Sequence, residues 1–489
     1  MESARFLIKD IMRPFSKIRT AQFVEALERR VHLSASPFNT KSVQGAWTLQ
    51  QAGLTANLRD SRQALLHKSI RVPHPRNPMA ATFLGDSAYL AGGGDLKGES
   101  STIDIYGLTT KKWSTATLPH PGATVGLNIG GKLLFTGGSS GEADIYDPNT
   151  THWTSTAVPS PSKYLIAGST LENKAFLLSK VDTRAELDIY EVDTGLWSTV
   201  ISPETPLQTI STGTGMAVVG NSLYFVSESG NLVGYNVRTA RWSVISTGQP
   251  AATLIGAITA VGTRLFLGPT ATNDAYVYDV ATGRGVILKV PVDVPPAYGT
   301  DTIDAVASLG SKAIFESSRS GKAAVYDTRS GKWSSAPFKF QKYEGSRFSV
   351  SVATAGRRAI FAGGQGIPSP SPSFAADIYT DPSPSPALSG DISGTVGQSV
   401  SIMLRNSGDA PLSGRYTIKV YTGPGRSRKN AVLIGSLKVG APLMAGASSQ
   451  FVMPTALSQG PHGLMNHLVA DVTDMAGHIT TVAVDDQAS

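Results

Sequence analysis

The chain has 489 residues, of which 50 are glycine, 29 are proline and none is cysteine, and 16% are charged. The lack of cysteine excludes disulfide bonds, thiolate zinc sites and cysteine nucleophiles, and no run of about 18 apolar residues predicts a membrane-spanning helix. The net charge of +7 is spread along the chain, which does not favour nucleic acid as a partner. The length and the many turn residues predict an all-β protein with two or more domains.

Residues 1–38 carry apolar side chains near one helical face, and we expect a basic leader that is partly helical or disordered. Its longest apolar run, Phe6-Leu7-Ile8, is too short for an ordinary signal-peptide core. However, LERRVHLSA at 27–35 resembles the L-E-P-R-x-L-L-S segment of many large bacterial exported and surface proteins, from which Arg29 and His32 depart. The resemblance implies an extracellular or cell-surface bacterial protein whose leader is removed or disordered. A helix that packs on the following domain is the alternative.

Between residues 44 and 383 one sequence motif recurs seven times. A tyrosine ends an apolar stretch, and in five of the seven copies a tryptophan follows seven positions later. DIYDPNTTHW at 144–153 and AVYDTRSGKW at 324–333 show it in full. The tyrosines are Tyr106, Tyr146, Tyr190, Tyr235, Tyr278, Tyr326 and Tyr379, and the tryptophans are Trp113, Trp153, Trp197, Trp242 and Trp333. The fifth unit has Gly285 in place of the tryptophan, and the seventh runs into prolines before a tryptophan occurs.

Upstream of each tyrosine an apolar strand ends in small residues, which in units one, two and seven are the glycine pairs Gly92 and Gly93, Gly137 and Gly138, and Gly363 and Gly364. Glycine is expected where the backbone turns tightly or approaches another backbone closely. One small sheet cannot bury its tyrosine and tryptophan alone, so neighbouring sheets must cover them. Four-stranded units of about 45 residues repeated radially are typical of a β-propeller.

The order of diglycine, tyrosine and tryptophan distinguishes among repeat families. No Trp-Asp dipeptide is present, and Asp147 and Asp327 precede their tryptophans by six positions, whereas quinoprotein repeats use eight. The pattern resembles the kelch motif over roughly residues 44–383. The resemblance implies a seven-bladed kelch-type β-propeller, although units three to six lack the full diglycine.

The unfinished seventh unit predicts how the ring closes. A last sheet without its outer strand would leave an exposed edge and half-buried aromatic side chains. Trp47, in GAWTLQQAG ahead of unit one, is the sixth tryptophan of the chain. We therefore expect residues 46–50 to form the outer strand of the seventh sheet, with Trp47 opposite Tyr379. The alternative is an unrelated N-terminal cap and a three-stranded last sheet.

The region after the repeats has a different composition. A Pro/Ser-rich linker at 381–388 precedes alternating apolar strands in residues 388–489, which predict an immunoglobulin-like β-sandwich. LRNSGDAPLSG at 404–414 resembles the loop of bacterial cell-adhesion-related modules. The resemblance implies a spacer or adhesion module in a surface protein. We expect limited proteolysis to cut first around 380–388.

Residues with catalytic potential are few. GGSSG at 137–141 matches G-x-S-x-G, but a strand follows Ser139, whereas a nucleophile elbow requires a helix. The eight histidines are scattered, no H-E-x-x-H is present, and we expect exposed loop residues and no metal site. The sialidase-type box is absent, and the copper-radical sugar oxidases, which are also kelch propellers, need a cysteine. The sequence thus predicts no catalytic residue and no cofactor.

Two functions remain open. The first is a non-catalytic exported binding protein, whose propeller loops contact a glycan or a protein outside the cell while the sandwich presents them. Its candidate ligand-binding residues come from the most polar loops: Arg184, Arg319, Lys342, Tyr343 and Arg347. The alternative is a sugar-active enzyme, for example one similar to kelch-type sialic-acid epimerases. That enzyme would need charged side chains that converge at one mouth of the central channel.

Overall fold

A computed structural model describes most of the chain after residue 64. The described ranges are 65–95, 97–159, 164–181, 184–203, 215–227, 229–248, 257–268, 274–291, 303–317, 322–337, 347–348, 350–366, 375–382, 386–394, 398–406, 411–412, 415–423, 431–444, 447–455, 467–473 and 479–486. Residues 63–489 form one compact unit. The leader and Trp47 lie outside the described residues.

The described residues form β-strands, which confirms the all-β class. They contain no helix long and apolar enough to cross a membrane. The strands up to residue 380 are β1 (Leu66–Arg71), β2 (Ala80–Leu84), β3 (Ser87–Ala91), β4 (Gly94–Asp95), β5 (Gly98–Glu99), β6 (Thr102–Gly107), β7 (Trp113–Thr117), β8 (Val125–Ile129), β9 (Lys132–Thr136), β10 (Glu142–Asp147), β11 (His152–Ala157), β12 (Tyr164–Leu171), β13 (Lys174–Val181), β14 (Arg184–Glu191), β15 (Leu196–Ile201), β16 (Ala217–Val219), β17 (Ser222–Val226), β18 (Leu232–Asn236), β19 (Arg241–Ile245), β20 (Ile258–Val261), β21 (Arg264–Leu267), β22 (Asp274–Asp279), β23 (Arg284–Lys289), β24 (Ile303–Leu309), β25 (Lys312–Ser317), β26 (Lys322–Asp327), β27 (Lys332–Pro337), β28 (Arg347–Phe348), β29 (Ser351–Ala355), β30 (Arg358–Ala362), β31 (Gln365–Gly366) and β32 (Ala375–Thr380).

These strands build seven antiparallel sheets of four strands each, one for every repeat unit. In each sheet we call the strand that contacts the neighbouring sheets the inner strand and the strand at the opposite edge the outer strand. In the order from inner to outer, sheet 1 is β2-β3-β6-β7, sheet 2 is β8-β9-β10-β11, sheet 3 is β12-β13-β14-β15, sheet 4 is β16-β17-β18-β19, sheet 5 is β20-β21-β22-β23, sheet 6 is β24-β25-β26-β27, and sheet 7 is β29-β30-β32-β1. The inner strand of each sheet contacts the inner strand of the next, and β29 contacts β2. The order of contacts is therefore cyclic.

An N-terminal strand completes sheet 7, but it is not the one around Trp47. β1 pairs antiparallel with β32, and His67 lies opposite Tyr379. The two rings are 4.9 Å apart between centroids, so the imidazole takes the place that tryptophan has in five other sheets. This corrects the expectation for residues 46–50. The tryptophan pattern does not predict this position, because His67 supplies a flat ring of a different residue type.

The tyrosine and tryptophan of one unit lie directly opposite each other on neighbouring strands. The ring centroids of the five pairs are 4.8–5.1 Å apart. The preceding sheet contributes to covering them: Trp197 Nε1 of sheet 3 donates to Thr156 Oγ1 of sheet 2 at 3.2 Å, and the Tyr379 hydroxyl donates to the Pro337 carbonyl at 3.3 Å. The aromatic rings thus pack between adjacent sheets.

The second glycine of a pair marks a close backbone approach. A Cβ on Gly93 would lie 2.1 Å from the carbonyl oxygen of Pro78, and a Cβ on Gly138 would lie 2.0 Å from that of Pro121. Both carbonyls belong to the segments that lead into β2 and β8. Only a residue without a side chain allows this approach, which gives the diglycine its physical reason.

The last seven strands form two further antiparallel sheets. The strands are β33 (Leu388–Gly394), β34 (Ser399–Asn406), β35 (Tyr416–Gly423), β36 (Val432–Val439), β37 (Ser448–Pro454), β38 (His467–Thr473) and β39 (Ile479–Asp486). The sheets are β33-β34-β37 and β36-β35-β38-β39. They share one apolar core, to which Ile402 and Leu404 contribute from the first sheet and Ile418 and Val472 from the second.

β33 contacts turns of sheets 4 and 5. The amide of Asn221, between β16 and β17, donates to Asp391 Oδ2 at 2.8 Å. Arg238 Nη1, between β18 and β19, donates to Ser393 Oγ at 3.2 Å. A Cβ on Gly262, between β20 and β21, would be 3.1 Å from the Leu388 carbonyl oxygen. The predicted linker overlaps residues 383–385, which lie outside the described residues, and the domain boundary there stays a prediction.

Candidate functional site

Each four-stranded sheet has two chemically different ends. The tight turns between its first and second strands and between its third and fourth strands lie at one end, which we call the turn end. The loop between the second and third strands, and the segment that leads from the outer strand to the next sheet, lie at the opposite end, which we call the loop end. Sheets 1 and 2 have the most completely described loop ends, and they contact each other there: the Gly122 amide donates to the Ser100 carbonyl at 2.9 Å.

A buried aspartate recurs two positions before the tyrosine in four sheets. These residues are Asp104, Asp144, Asp188 and Asp377, each at most 2% exposed. A carboxylate in the middle of a small sheet must have hydrogen-bond or charge partners, because its burial is otherwise costly. Three of the four receive a histidine.

In sheet 2 the aspartate holds a histidine that arrives from sheet 1. His120 lies between β7 and β8, and its Nδ1 is 2.8 Å from Asp144 Oδ1. Its amide donates to the other carboxylate oxygen at 2.9 Å, and Ser155 Oγ donates to Oδ1 at 2.7 Å. Because Nδ1 faces the carboxylate, Nε2 is the ring nitrogen left for other partners. The side chain of His120 is 37% exposed.

Sheet 1 repeats the arrangement and adds an arginine. His74, between β1 and β2, places Nδ1 2.8 Å from Asp104 Oδ1, and its side chain is 54% exposed. Arg76 Nη2 donates to Asp104 Oδ2 at 3.0 Å and to the Leu90 carbonyl at 3.1 Å. Burial lowers the pKa of Arg76, and the charge of Asp104 opposes that shift. The guanidinium atoms Nε and Nη1 are buried without a hydrogen-bond partner in the described part of the chain.

Sheet 7 carries the third pair, which is closed to solvent. His67 Nε2 is 2.7 Å from Asp377 Oδ1, with the two side chains 3% and 0% exposed. Ser69 Oγ donates to the same oxygen at 2.5 Å. The expectation that the histidines are exposed loop residues is therefore wrong for His67, which belongs to a buried pair inside a sheet.

The exposed pairs could act chemically in two ways. An imidazole held by a buried carboxylate is oriented for hydrogen bonding to a ligand, and the same arrangement supports general bases and metal ligands. Among the described residues, however, no group of three or more metal-ligating side chains occurs. His74 and His120 are thus best suited to donate or accept hydrogen bonds at the loop end.

Ser139, in the G-x-S-x-G match, has a structural partner. Its hydroxyl donates to Glu99 Oε2 at 2.7 Å and its amide to Glu99 Oε1 at 3.0 Å, which joins the loop ends of sheets 1 and 2. β10 begins at Glu142, so a strand follows, as the sequence indicated. These hydrogen bonds connect two loops, which gives Ser139 a structural role.

The five ligand-binding candidates from the polar loops are not assembled into a cluster by the described residues. Arg184 begins β14 of sheet 3 and is half-buried, while Arg347 lies in β28 opposite Gly366, beside sheet 7. Arg319, Lys342 and Tyr343 lie outside the described residues.

The histidine–aspartate pairs were missed, although a signal was available. The segments VPHP at 72–75 and LPHP at 118–121 occupy the same place in successive repeats, ahead of the inner strands of sheets 1 and 2. A histidine that recurs ahead of the aspartate of D-I-Y predicts a histidine–aspartate contact. The tyrosine and tryptophan pattern alone does not show it. No protein-family model matches the chain, and no curated protein matches it.

Proposed function

We propose that the seven sheets form a seven-bladed kelch-type β-propeller, that the C-terminal sheets form an immunoglobulin-like sandwich, and that the protein is an exported binding protein. The cyclic contacts of the inner strands support the propeller, and the core shared by two antiparallel sheets supports the sandwich. Export rests on the resemblance of LERRVHLSA alone. An intact N-terminus found by mass spectrometry on a purely cytosolic protein would contradict it.

The ligand site of this proposal is the loop end of sheets 1 and 2. The observation that carries it is the pair of half-exposed imidazoles, His74 and His120, each fixed by a buried carboxylate at neighbouring positions of the repeat. At the opposite end, β33 contacts the turns of sheets 4 and 5. This contact lies on other sheets and at the other end from His74 and His120, so it does not cover the proposed site.

A glycan fits this surface better than a protein. Fixed imidazole nitrogens together with the exposed hydroxyl of Ser140 offer directional hydrogen bonds, which sugar hydroxyls require. Among its described residues, the loop end of sheets 1 and 2 exposes no large apolar side chain of the kind that forms the centre of protein interfaces. A protein partner, which the sequence left open, is an outcome that the test below distinguishes.

The test is a glycan array with the full-length protein, followed by titration of the hits. Replacing His74 and His120 together by alanine should weaken binding by about tenfold or more, since two hydrogen bonds are lost. His152→Ala is the matched control, because His152 is an exposed histidine at the turn end of sheet 2. No hits, or hits that both variants bind equally, would refute a loop-end glycan site; capture of a purified protein ligand by His74 and His120 would favour a protein.

The carboxylate–imidazole pairs also keep the sugar-active enzyme as a second candidate. The same geometry orients a general base, with Nε2 toward a substrate. Turnover assays on the array hits separate the two functions. Loss of turnover with retained binding in His120→Ala would identify an enzyme, whereas binding without turnover in the wild type supports the binding protein.

A further inference from the structure

The outer strand of sheet 5, β23, differs from the outer strands of the other sheets. Its sequence is RGVILK, and Val286 and Ile287 are each 53% exposed. By contrast β7 reads WSTAT and β11 reads HWTSTA, in which serine and threonine occupy the exposed positions. β15 and β19 also expose apolar side chains, at Leu196, Ile201 and Val244, but both have serine after the tryptophan, whereas β23 has the unbroken run Val-Ile-Leu. β27 reads KWSSAP and ends in Pro337, which cannot donate to a further strand.

The departure of unit five from the repeat explains this strand. Gly285 stands where tryptophan is usual, and a Cβ there would lie 1.8 Å from the Tyr276 hydroxyl oxygen. Tyr276 occupies the position that a buried aspartate has in four of the other sheets, and it is 7% exposed. The tyrosine thus fills the tryptophan site from the neighbouring strand, and β23 keeps no large side chain at position 285. A glycine in a strand permits another backbone to approach closely.

β23 also lacks the usual protection of an edge strand. Proteins commonly shield such edges with charges inside the strand, proline or a bulge. In β23 the charged residues, Arg284 and Lys289, stand only at the two ends, where Asp279 and Asp274 of β22 lie opposite them. Asp279 pairs with Arg264 at 3.5 Å, and among the described residues no ion pair joins Arg284 or Lys289. The centre of the edge is apolar and β-branched, so it favours pairing with an added strand.

Charge determines which strand fits. If a second copy paired antiparallel with β23, Arg284 would lie opposite Lys289 at both ends, and a parallel pairing would also bring like charges together. A strand with acidic ends would instead place a carboxylate beside each cation. We propose that β23 is a docking edge for an extended peptide segment that has a β-branched apolar centre flanked by aspartate or glutamate. This proposal is independent of the glycan site.

The probe is a fluorescent synthetic peptide with a Val-Ile-Val-Ile centre between pairs of glutamates. Anisotropy titration of the full-length protein should show saturable binding that weakens as salt is added. A peptide with lysines in place of the glutamates should bind at least tenfold more weakly, and one with proline in its centre should not bind. Arg284→Glu combined with Lys289→Glu should reverse the preference between the acidic and basic peptides.

Single-residue variants distinguish binding at this edge from nonspecific binding to other exposed apolar residues. Ile287→Lys should abolish binding, and Val244→Lys, which changes an equally exposed residue on β19 of sheet 4, should not. Thermal melting checks that both variants fold. No binding of the acidic peptide, equal binding by both variants, or an unchanged preference after charge reversal overturns the proposal. So does a self-association, seen by sedimentation, that Ile287→Lys removes while the peptide does not bind.

Discussion

Among single residues, the buried carboxylates depend most strongly on their partners, because a buried charge is costly unless it is paired. Asp104 is fully buried, and it accepts hydrogen bonds from His74 and from Arg76, which is itself 2% exposed. Removing one member of such a pair leaves an uncompensated charge in a region that excludes water, whereas removing both can be nearly neutral. The stability of sheet 1 should therefore depend on the pair and not on either residue alone.

Asp104→Ala is expected to lower the free energy of unfolding by about 3–5 kcal/mol, because it leaves the Arg76 guanidinium buried beside no carboxylate. The double variant Arg76→Leu with Asp104→Ala should recover a large part of that loss. Asp86→Ala, at an exposed aspartate that pairs with Arg358, is the control and should destabilise the fold far less than Asp104→Ala, because solvent screens this pair. Urea denaturation measures all of them. A loss under about 1 kcal/mol for Asp104→Ala would show that the pair is not energetically coupled.

Among the elements, β1 connects the beginning of the repeat region with its last sheet. It pairs with β32 along its whole length, from Leu66 opposite Thr380 to Arg71 opposite Ala375. It covers Tyr379 and Asp377, both 0% exposed, which would lie on the edge strand of the sheet if β1 were absent. β1 comes from the N-terminal end of the repeat region and pairs with a strand from its C-terminal end. No neighbouring residue of sheet 7 can therefore replace it.

Two truncations isolate the contribution of β1. Removal of residues 1–62 leaves the strand in place, whereas removal of residues 1–71 takes it away. The second should melt at a distinctly lower temperature and be cleaved by trypsin at Arg357 and Arg358, because the edge of sheet 7 is then open. A synthetic peptide of residues 64–72 should restore protection. Equal melting temperatures for the two truncations would mean that sheet 7 is completed in another way.

At the scale of the whole molecule, the contact of β33 with the turn end can be measured at one amide. Asn221 donates its backbone N–H to Asp391 Oδ2 at 2.8 Å, across the predicted domain boundary. Asp391→Ala should therefore accelerate hydrogen exchange at the Asn221 amide. The amide of Val237, which donates to the Asn221 carbonyl within sheet 4, should be unchanged. Unaltered exchange at Asn221 would indicate that the two parts do not keep this contact in solution.

The packing of tyrosines between sheets predicts an alkaline limit of stability. Burial raises the pKa of Tyr190, Tyr235 and Tyr276 above the ordinary value of 10.0, with Lys132 and Lys174 partly opposing the shift for the first two. The folded chain thus favours the neutral phenols, so this stabilisation is complete below pH 10.0 and is lost as the pH rises through the folded-state pKa values. Denaturation midpoints should fall in that range, and Tyr235→Phe should make the fall shallower. A midpoint that is independent of pH there, or an unchanged slope in the variant, would contradict the prediction.

The sequence by itself determined the features that depend on neighbouring residues. The all-β class follows from the many short apolar stretches and turn residues. The positions of the third and fourth strands, and the placement of tyrosine opposite tryptophan, follow from a spacing of seven, because a tight turn brings these two residues to facing positions on neighbouring strands. The close approach at Gly93 and Gly138 was likewise foreseeable, since glycine is the residue that permits it.

Only the tertiary structure decided the features that join distant parts of the chain. His67 and Asp377 are separated by 310 positions, and nothing in the local pattern distinguishes β1 from residues 46–50 as the closing strand. The transfer of His74 and His120 to the aspartates of the next sheet, and the contact of Asp391 with Asn221, also arise between elements. Local periodicity specifies which face of a strand is apolar. Which strand pairs with another strand hundreds of residues away depends on how whole sheets pack, and no local sequence pattern encodes that packing.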